Sequence, residues 1–372
     1  MNDEHEDLGV GIVTSPTTYD AQLEPIKRFI HILQPISNPL VLFGGGYTDE
    51  SVSSKISKFE QTGSYISGVG IIDNIYLQLF ACIKIFLHRK EINVIYFQKG
   101  AMSYFIPVVM CRLLPLKTSV IKVGAFSNER PGAKYLSNFV YYLEYLAFRF
   151  SDHAIVFSDS ERRTVPNNNT YVAFSNYRDF DQFDIHNGIE DRQVDIGFVG
   201  GFTKVKSVVE FSIAAKELAK TNPNIRIKMV GNGPLYNEVC KIVGDIPQIE
   251  LTGWINHNDI SDVFNDVKFI FMPSHAEGLP TTAIEAMGCG AIVVGTNVGS
   301  LSDLLDDGII GFELPDNQPN SIYNTYNRVS THEGLQSIVQ NQRELVTRRY
   351  TLEEARAEFK KLSYKLAQAD SH

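Results

Sequence analysis

The feature that most constrains this chain is a rhythm that occurs twice: short apolar runs rich in β-branched residues alternate with longer segments of helical period. In the first series Leu8–Val13, Pro39–Phe43, Tyr65–Ile71, Ile92–Phe97, Ser119–Val123, His153–Phe157 and Tyr171–Phe174 read as strands. Helical patterns at Gln22–Leu33, Asp73–His88, 102–114 and Ser137–Phe150 fall between most of them. A second series has strands at Val194–Val199, Ile225–Val230, Gln248–Thr252, Lys268–Met272 and Ala291–Val294, with helices such as Val208–Lys220 and Asp259–Asn265. A strand covered on both faces loses its polar alternation, so continuous apolar runs separated by helices predict parallel sheets sandwiched by helices. The expected class is α/β, with two doubly wound sheets in tandem and ligands at the carboxyl ends of the strands.

Between the two series lies "SNYRDFDQFDIHNGIEDR", residues 175 to 192, polar and aperiodic as an interdomain linker is. The expected organisation is a first domain over 1–178, a linker over 179–192, a second domain over 193–348 and a closing helix within 349–372. That helix opens on "TLEE" at Thr351, a capping box, and is either a surface helix or one that returns to the first domain. With 372 residues, two cores are the natural expectation.

A formal charge of −9 argues against nucleic acid as a partner. A phosphate-bearing ligand must then be held by local cations and backbone N–H groups rather than by the field of the whole molecule. The cysteines Cys82, Cys111, Cys240 and Cys289 are scattered without metal-ligand spacing, and no metal site is expected. The acidic start "MNDEHEDLG" has no apolar core of a secretory signal, and no uncharged apolar run is long enough to span a bilayer. A cytoplasmic setting is the expectation. Two segments keep peripheral membrane contact open: "YFIPVVMCRLLPL" from Tyr104 to Leu116, and "FVYYLEYLAFRF" over 139–150. Each reads either as a buried helix or as a patch resting on a membrane.

Four segments place special residues just after strands of the second series. In "DIGFVGGFTKVKS" the strand ends in Gly200-Gly201, a helix begins near Ser207, and Lys204 and Lys206 stand between. Paired glycines let a ligand approach the backbone, and a helix N-terminus suits an anion, although such a pair is also a common tight turn. In "IKMVGNGPL" the residues Gly231-Asn232-Gly233-Pro234 follow a strand, equally explained by turn chemistry. Trp254 in "LTGWINH", next to Ile255, reads either as core packing or as a wall for a flat base. Finally, "SHAEGLPTTAIEAMGCG" runs from a strand end through Glu277 and the turn Gly278-Leu279-Pro280 into a helix starting near Thr281, with Glu285 inside it. The N–H groups of residues 278 to 282 would face the strand ends and could cradle a diphosphate.

With these segments in order, the second domain resembles the GT-B retaining glycosyltransferases of family 4, the group that includes sucrose, glycogen-type and lipopolysaccharide mannosyl and glucosyl transferases. The resemblance covers roughly residues 176 to 315, and its most specific part is E-x7-E, here Glu277 to Glu285. The pieces "GAIVVGTNVGS" and "DGIIG" follow in register, and Asn176, Asp179 and Phe183 are similar to the family's linker. Carried over position by position, Glu277 would accept hydrogen bonds from the donor sugar and Glu285 would bind the ribose. The N–H groups of Leu279, Thr281 and Thr282 would contact diphosphate and sugar, and Lys206 would neutralise the leaving group. The loops Gly231–Pro234 and Gly253–Ile255 would flank a uracil or guanine base. The resemblance implies two Rossmann-like domains facing a cleft and transfer of a sugar, with retention, from a UDP- or GDP-sugar to a saccharide or lipid-linked acceptor, in surface polysaccharide or glycoconjugate synthesis. It implies no essential metal or other cofactor, so "DFD" at 179–181 is a decoy of the metal-binding D-x-D.

Two departures stand out. The family places Arg where this chain has Gly201, and "VIKVGAFSNE" lacks the histidine that commonly follows the fifth strand of the first domain. The rival readings are a silent partner or binding subunit, a nucleotide-sugar 2-epimerase and a dehydrogenase; "GFVGGF" does not supply the G-x-G-x-x-G of the last. Acceptor choice would rest on the first-domain loops Thr14–Tyr19, Phe43–Asp49 and Gly124–Lys134.

Overall fold

The computed structural model describes residues 8–14, 20–44, 56–61, 70–98, 104–114, 116–121 and 134–368. Their contacts divide the chain into two compact units, Met1–Tyr177 with Leu352–His372, and Arg178–Thr351.

The first unit is built on a seven-stranded sheet in the order β3-β2-β1-β4-β5-β6-β7, parallel throughout. The strands are β1 (Val10–Thr14), β2 (Leu40–Gly44), β3 (Lys58–Gln61), β4 (Val94–Gln98), β5 (Lys117–Ile121), β6 (His153–Val156) and β7 (Thr170–Val172). In β1, β2 and β4 all five residues are buried, as central parallel strands require. Helices α1 (Asp20–Leu33), α2 (Gly70–His88), α3 (Phe105–Leu113) and α4 (Lys134–Phe150) connect them. The expected strand Tyr65–Ile71 lies mostly outside the described residues. Residues 62–69 lie outside the described part, and Gly70 and Ile71 open α2. Among the described residues the edge strand is the polar Lys58–Gln61, which pairs on one side only.

The second unit carries six parallel strands in the order β10-β9-β8-β11-β12-β13. They are β8 (Val194–Val199), β9 (Ile227–Val230), β10 (Ile249–Gly253), β11 (Val267–Met272), β12 (Ile292–Thr296) and β13 (Phe312–Leu314). Its helices are α5 (Val208–Thr221), α6 (Tyr236–Val243), α7 (Ile260–Asp266), α8 (Thr281–Gly288), α9 (Pro319–Val329) and α10 (Leu335–Arg349). The closing helix α11 (Leu352–Gln368) packs in the first unit. There Phe359 meets Phe29 and Tyr96 at ring separations of 5.0 and 5.9 Å, and the Tyr96 hydroxyl lies 2.6 Å from Ser363 Oγ.

The polar stretch expected to be a linker is packed into the second unit. Phe183 and Ile189 are buried. Arg343 donates from Nη1 to the carbonyl of Phe183 at 2.5 Å and to that of Gly288, and from Nη2 to Asp184 Oδ1 at 2.8 Å. Arg192 is buried and donates to four carbonyls: Phe264 at 2.6 Å and Val267 at 2.9 Å from Nη1, Cys289 at 2.6 Å and Asn187 at 3.1 Å from Nη2. Burial lowers its pKa to about 10, and the carbonyl cage supplies hydrogen bonds to both Nη atoms, while the buried Nε has no partner.

His153 in β6 gives the first unit a pH dependence. The side chain is buried and Nδ1 has no hydrogen-bond partner. Burial depresses its pKa from 6.5, opposed by Asp152 and aided by Lys365 and Lys117. The unfolded chain therefore binds the proton more readily, so His153 stabilises the fold fully above about pH 6.5, and that contribution is lost as pH falls through the depressed value. Urea denaturation at about pH 7.5 and about pH 5.5 should show a smaller loss of stability for His153→Gln than for the wild type.

Candidate functional site

In the second unit the loops that follow β8, β9, β10 and β11 are laced together by backbone hydrogen bonds. Gly200 N–H donates to Val230 O at 3.0 Å, Phe202 N–H to Asn232 O at 2.9 Å, Leu235 N–H to Phe202 O at 3.1 Å and Gly231 N–H to Gly253 O at 2.8 Å. The glycines are what allow this approach. A Cβ on Gly231, whose φ is +146°, would sit 1.9 Å from Gly200 O, and one on Gly233, at φ +158°, would sit 2.6 Å from Phe202 O. Gly201 is different: its Cβ would meet nothing nearer than Thr203 Cγ2 at 3.7 Å. Sterics do not require glycine there.

After Gly201 the chain makes a short 3₁₀ turn over Lys204–Lys206, and Ser207 then enters α5 at φ +50°. The turn separates the two lysines. Lys204 is exposed, whereas Lys206 reaches Glu277, with Nζ 2.5 Å from Oε1. Glu277 Oε1 also accepts from Ser274 Oγ at 2.6 Å, and the side chain is buried. Its loop is held from three sides. His275 N–H donates to Val205 O at 2.8 Å, Thr296 Oγ1 to Ser274 O at 2.6 Å and Ser300 N–H to Glu277 O at 3.3 Å. Gly299, at φ +51°, lies so close that a Cβ would be 1.9 Å from Glu277 O. Lysine, carboxylate and hydroxyl are thereby fixed at one point above the strand ends.

Pro280 precedes α8 at φ −80° and ψ 69°, with no side chain capping the helix. The first i→i−4 bond is Ile284 N–H to Pro280 O at 3.1 Å, so the N–H groups of Thr282 and Ala283 precede the ladder. The N–H of Thr281 donates to Leu279 O at 2.9 Å and closes the turn. Gly278, Leu279, Thr281 and Thr282 are half-buried along this turn. Glu285, within α8, is buried and its Oε1 accepts from Arg178 Nε at 2.6 Å; His257 Nε2 lies 3.8 Å away. Arg178 is itself buried, and its N–H donates to Tyr350 O at 2.8 Å. Both glutamates are thus clamped to cations, and both ion pairs use Oε1.

The tryptophan resolves one open alternative. Trp254 is 73% exposed, which removes it from the core, and Ile255 beside it is half-buried. Asn232 is exposed, its Oδ1 accepting from Gly233 N–H at 2.7 Å. Asp179, the first residue of "DFD", accepts from Asp181 N–H at 3.1 Å. Apart from Thr14, Phe43, Gly44 and Lys134, the loops Thr14–Tyr19, Phe43–Asp49 and Gly124–Lys134 lie outside the described residues.

A sequence profile described as "Glycosyl transferases group 1" matches residues 179–345, nearly the whole of the second unit. Residues 179–345 are therefore similar to the glycosyl transferases group 1 family. An uncharacterized glycosyltransferase of Methanocaldococcus jannaschii is 30% identical over 127 residues, 34% of this chain and 35% of that protein. A D-inositol 3-phosphate glycosyltransferase of Paenarthrobacter aurescens is 28% identical over 159 residues, 40% of this chain and 39% of that protein. The matched stretches thus span well under half of either relative. Among solved structures, sucrose-phosphate synthase from Thermosynechococcus elongatus superposes with a TM-score of 0.76 at 16% identity, over 98% of this chain and all of that one. The Anabaena protein HepE in complex with UDP gives 0.73 at 13% identity, over 96% of this chain and all of that one. The fold is therefore GT-B, two Rossmann-like units of seven and six parallel strands.

Within the second unit the sequence did not point to Arg178, Ser274, His257 or Gly299. Arg178 had one signal: it is among the few cations in a stretch crowded with aspartate. Removing it leaves a buried carboxylate unpaired. Arg178→Met should cost about 3–5 kcal/mol, and Arg178→Met combined with Glu285→Gln should recover most of the loss; a double-mutant cycle by denaturant unfolding measures both.

Proposed function

We propose that the chain is a retaining glycosyltransferase that moves a sugar from a UDP- or GDP-sugar to a hydroxyl of a saccharide or lipid-linked acceptor, in the synthesis of a surface polysaccharide or glycoconjugate. The observation that carries this reading is the meeting of Lys206, Glu277 and Ser274 beside the uncapped start of α8. A cation, a fixed carboxylate and helix N–H groups at one point suit a ligand that joins an anionic diphosphate to a polyhydroxylated sugar. The HepE structures, described as complexes with UDP, with UDP and glucose, and with UDP-glucose, support a donor of this class.

In this reading the diphosphate takes the N–H groups of Thr282 and Ala283 together with Lys206 Nζ, which leaves Glu277 for the phosphate. Glu277, still held by Ser274, then accepts from sugar hydroxyls and favours the positive charge that grows on the anomeric carbon. Glu285 keeps Arg178 on Oε1 and offers Oε2 to the ribose hydroxyls. The acceptor oxygen forms its bond to the anomeric carbon on the face from which the diphosphate oxygen departs, and its proton passes to that departing oxygen. No carboxylate serves as nucleophile, in contrast to the paired carboxylates of retaining hydrolases. Lys206 and the helix start carry the neutralising role, so the scheme calls for no divalent ion or other cofactor. Trp254, Ile255, Asn232 and the backbone of Gly200, Gly231 and Gly233 are assigned to the nucleoside side. A cytoplasmic setting goes with these donors.

A second reading, a partner subunit with weakened catalysis, is favoured by Gly201, where a second cation would stand. The space around Gly201 makes it testable. Gly201→Arg should fold normally and tighten UDP or GDP binding, with Lys204 unable to reproduce a bidentate guanidinium. Lys206→Ala should weaken UDP about tenfold or more while leaving uridine nearly unchanged; equal losses would count against the phosphate role. With a panel of UDP- and GDP-sugars, Glu277→Ala should abolish nucleotide release that the wild type shows. Failure of every nucleotide to bind would sink the enzyme reading, and binding without transfer to any acceptor would favour the partner subunit.

A further inference from the structure

The first unit carries an apolar face that is exposed among its described residues. Helix α2 sends Gln78, Ala81 and Ile85 into the interior, yet shows Ile75, Tyr76, Leu79, Ile83, Phe86 and Leu87 to solvent, Leu87 at 63% exposure. At 100° per residue these six fall within an arc of about 120°, opposite the buried three. A surface helix of a water-soluble unit places charged and polar residues on that arc. The apolar character continues over the neighbouring helices: α3 packs beside α2 and α4 beside α3. There Leu113 is 83% exposed and Tyr142 57%, with Tyr145 and Phe150 also exposed. Exposed large side chains scattered singly need no explanation, but an aligned stripe with neighbours on adjacent helices marks an interaction surface.

Basic side chains rim the face, and the nearby Asp152 accepts from Thr118. Arg89 lies 3.9 Å over the Phe86 ring, Lys90 is exposed just beyond α2, and Arg112 and Arg149 are exposed near the ends of α3 and α4. Among the described side chains of α2, α3 and α4 the only acidic one is Glu144, which is buried. Nearby Glu60 and Glu91 are occupied, Glu60 by Lys84 and His88, Glu91 by Lys58 and His88. A chain of formal charge −9 thus presents a locally positive rim around an apolar, aromatic-rich face.

We propose that this face rests on an anionic phospholipid bilayer, with the apolar side chains of α2 at the boundary between headgroups and acyl chains and Arg89, Lys90, Arg112 and Arg149 on lipid phosphates. Apolar area sets the depth of such binding, and the basic rim selects anionic lipid. Among the described residues no helix is long and apolar enough to cross a membrane, so the contact is one of lying on the surface. A second copy of the chain fits less well, because a self-pairing face would bring its own arginines together. The proposal stands apart from the donor reading, since the face and the Glu277 site belong to different units.

Co-sedimentation of the full chain with vesicles of phosphatidylcholine alone, and of phosphatidylcholine with phosphatidylglycerol, tests it. Binding is expected to the anionic vesicles and to fall with added salt. Leu79→Ser combined with Ile83→Ser should weaken it at least about tenfold, as should Arg89→Glu combined with Lys90→Glu. All four positions are at the surface, so unchanged circular dichroism and unchanged UDP affinity should accompany the loss. Absence of sedimentation with both vesicles overturns the proposal. So does a wild type that light scattering shows to be a dimer and that Leu79→Ser with Ile83→Ser converts to a monomer.

Discussion

A single buried guanidinium organises the second unit. Arg192 gathers carbonyls from the incoming segment, from the end of α7, from the first residue of β11 and from the residue that follows α8. Strand β11 and helix α8 are the two elements between which the turn bearing Glu277 is slung. Their spacing is therefore set behind the turn, by hydrogen bonds that water does not compete for. Gly290 yields the space, since a Cβ there would meet Arg192 Nη2 at 3.0 Å. The site at the front of the sheet inherits its rigidity from this cage at the back.

The site itself is held by opposite charges close together. Lys206 and Glu277 belong to loops after different strands, and the pair joins those loops, as the backbone bond from His275 to Val205 also does. Arg178 and Glu285 do the same deeper down, where both partners are buried. Paired charges at such depth contribute little net stability over an apolar pair but fix one arrangement. What they supply is position, which a site for a flexible, polar ligand needs more than it needs strength.

Much of the second unit was legible because a central parallel strand is an uninterrupted apolar run and its loops carry glycine, proline and charge in contiguous order. Val194–Val199 was read to the residue, and the other four within about two, the usual tolerance for element ends. Two of the four edge strands escaped, although the edges β7 and β10 were read. Lys58–Gln61 is polar and Phe312–Leu314 has three residues, because a strand with one neighbour need not be apolar throughout. In the site, Glu277 and Lys206 could be picked out from local motifs, but their meeting could not. Arg178 and Glu285 are 107 positions apart, and no local pattern announces a partner at that separation. Gly299 was hidden for a related reason, since its constraint is the carbonyl of a residue on another loop.

Helix α11 carries a consequence for how the molecule is made. The aromatic cluster of Phe29, Tyr96 and Phe359 joins the beginning of the chain to its closing helix, and residues 178–351 intervene. During synthesis the sheet of the first unit emerges first, as the N-terminal part of a chain does. It must nevertheless wait, with the side of Phe29 and Tyr96 uncovered, until the whole second unit has followed. The unit that begins first is the one completed last.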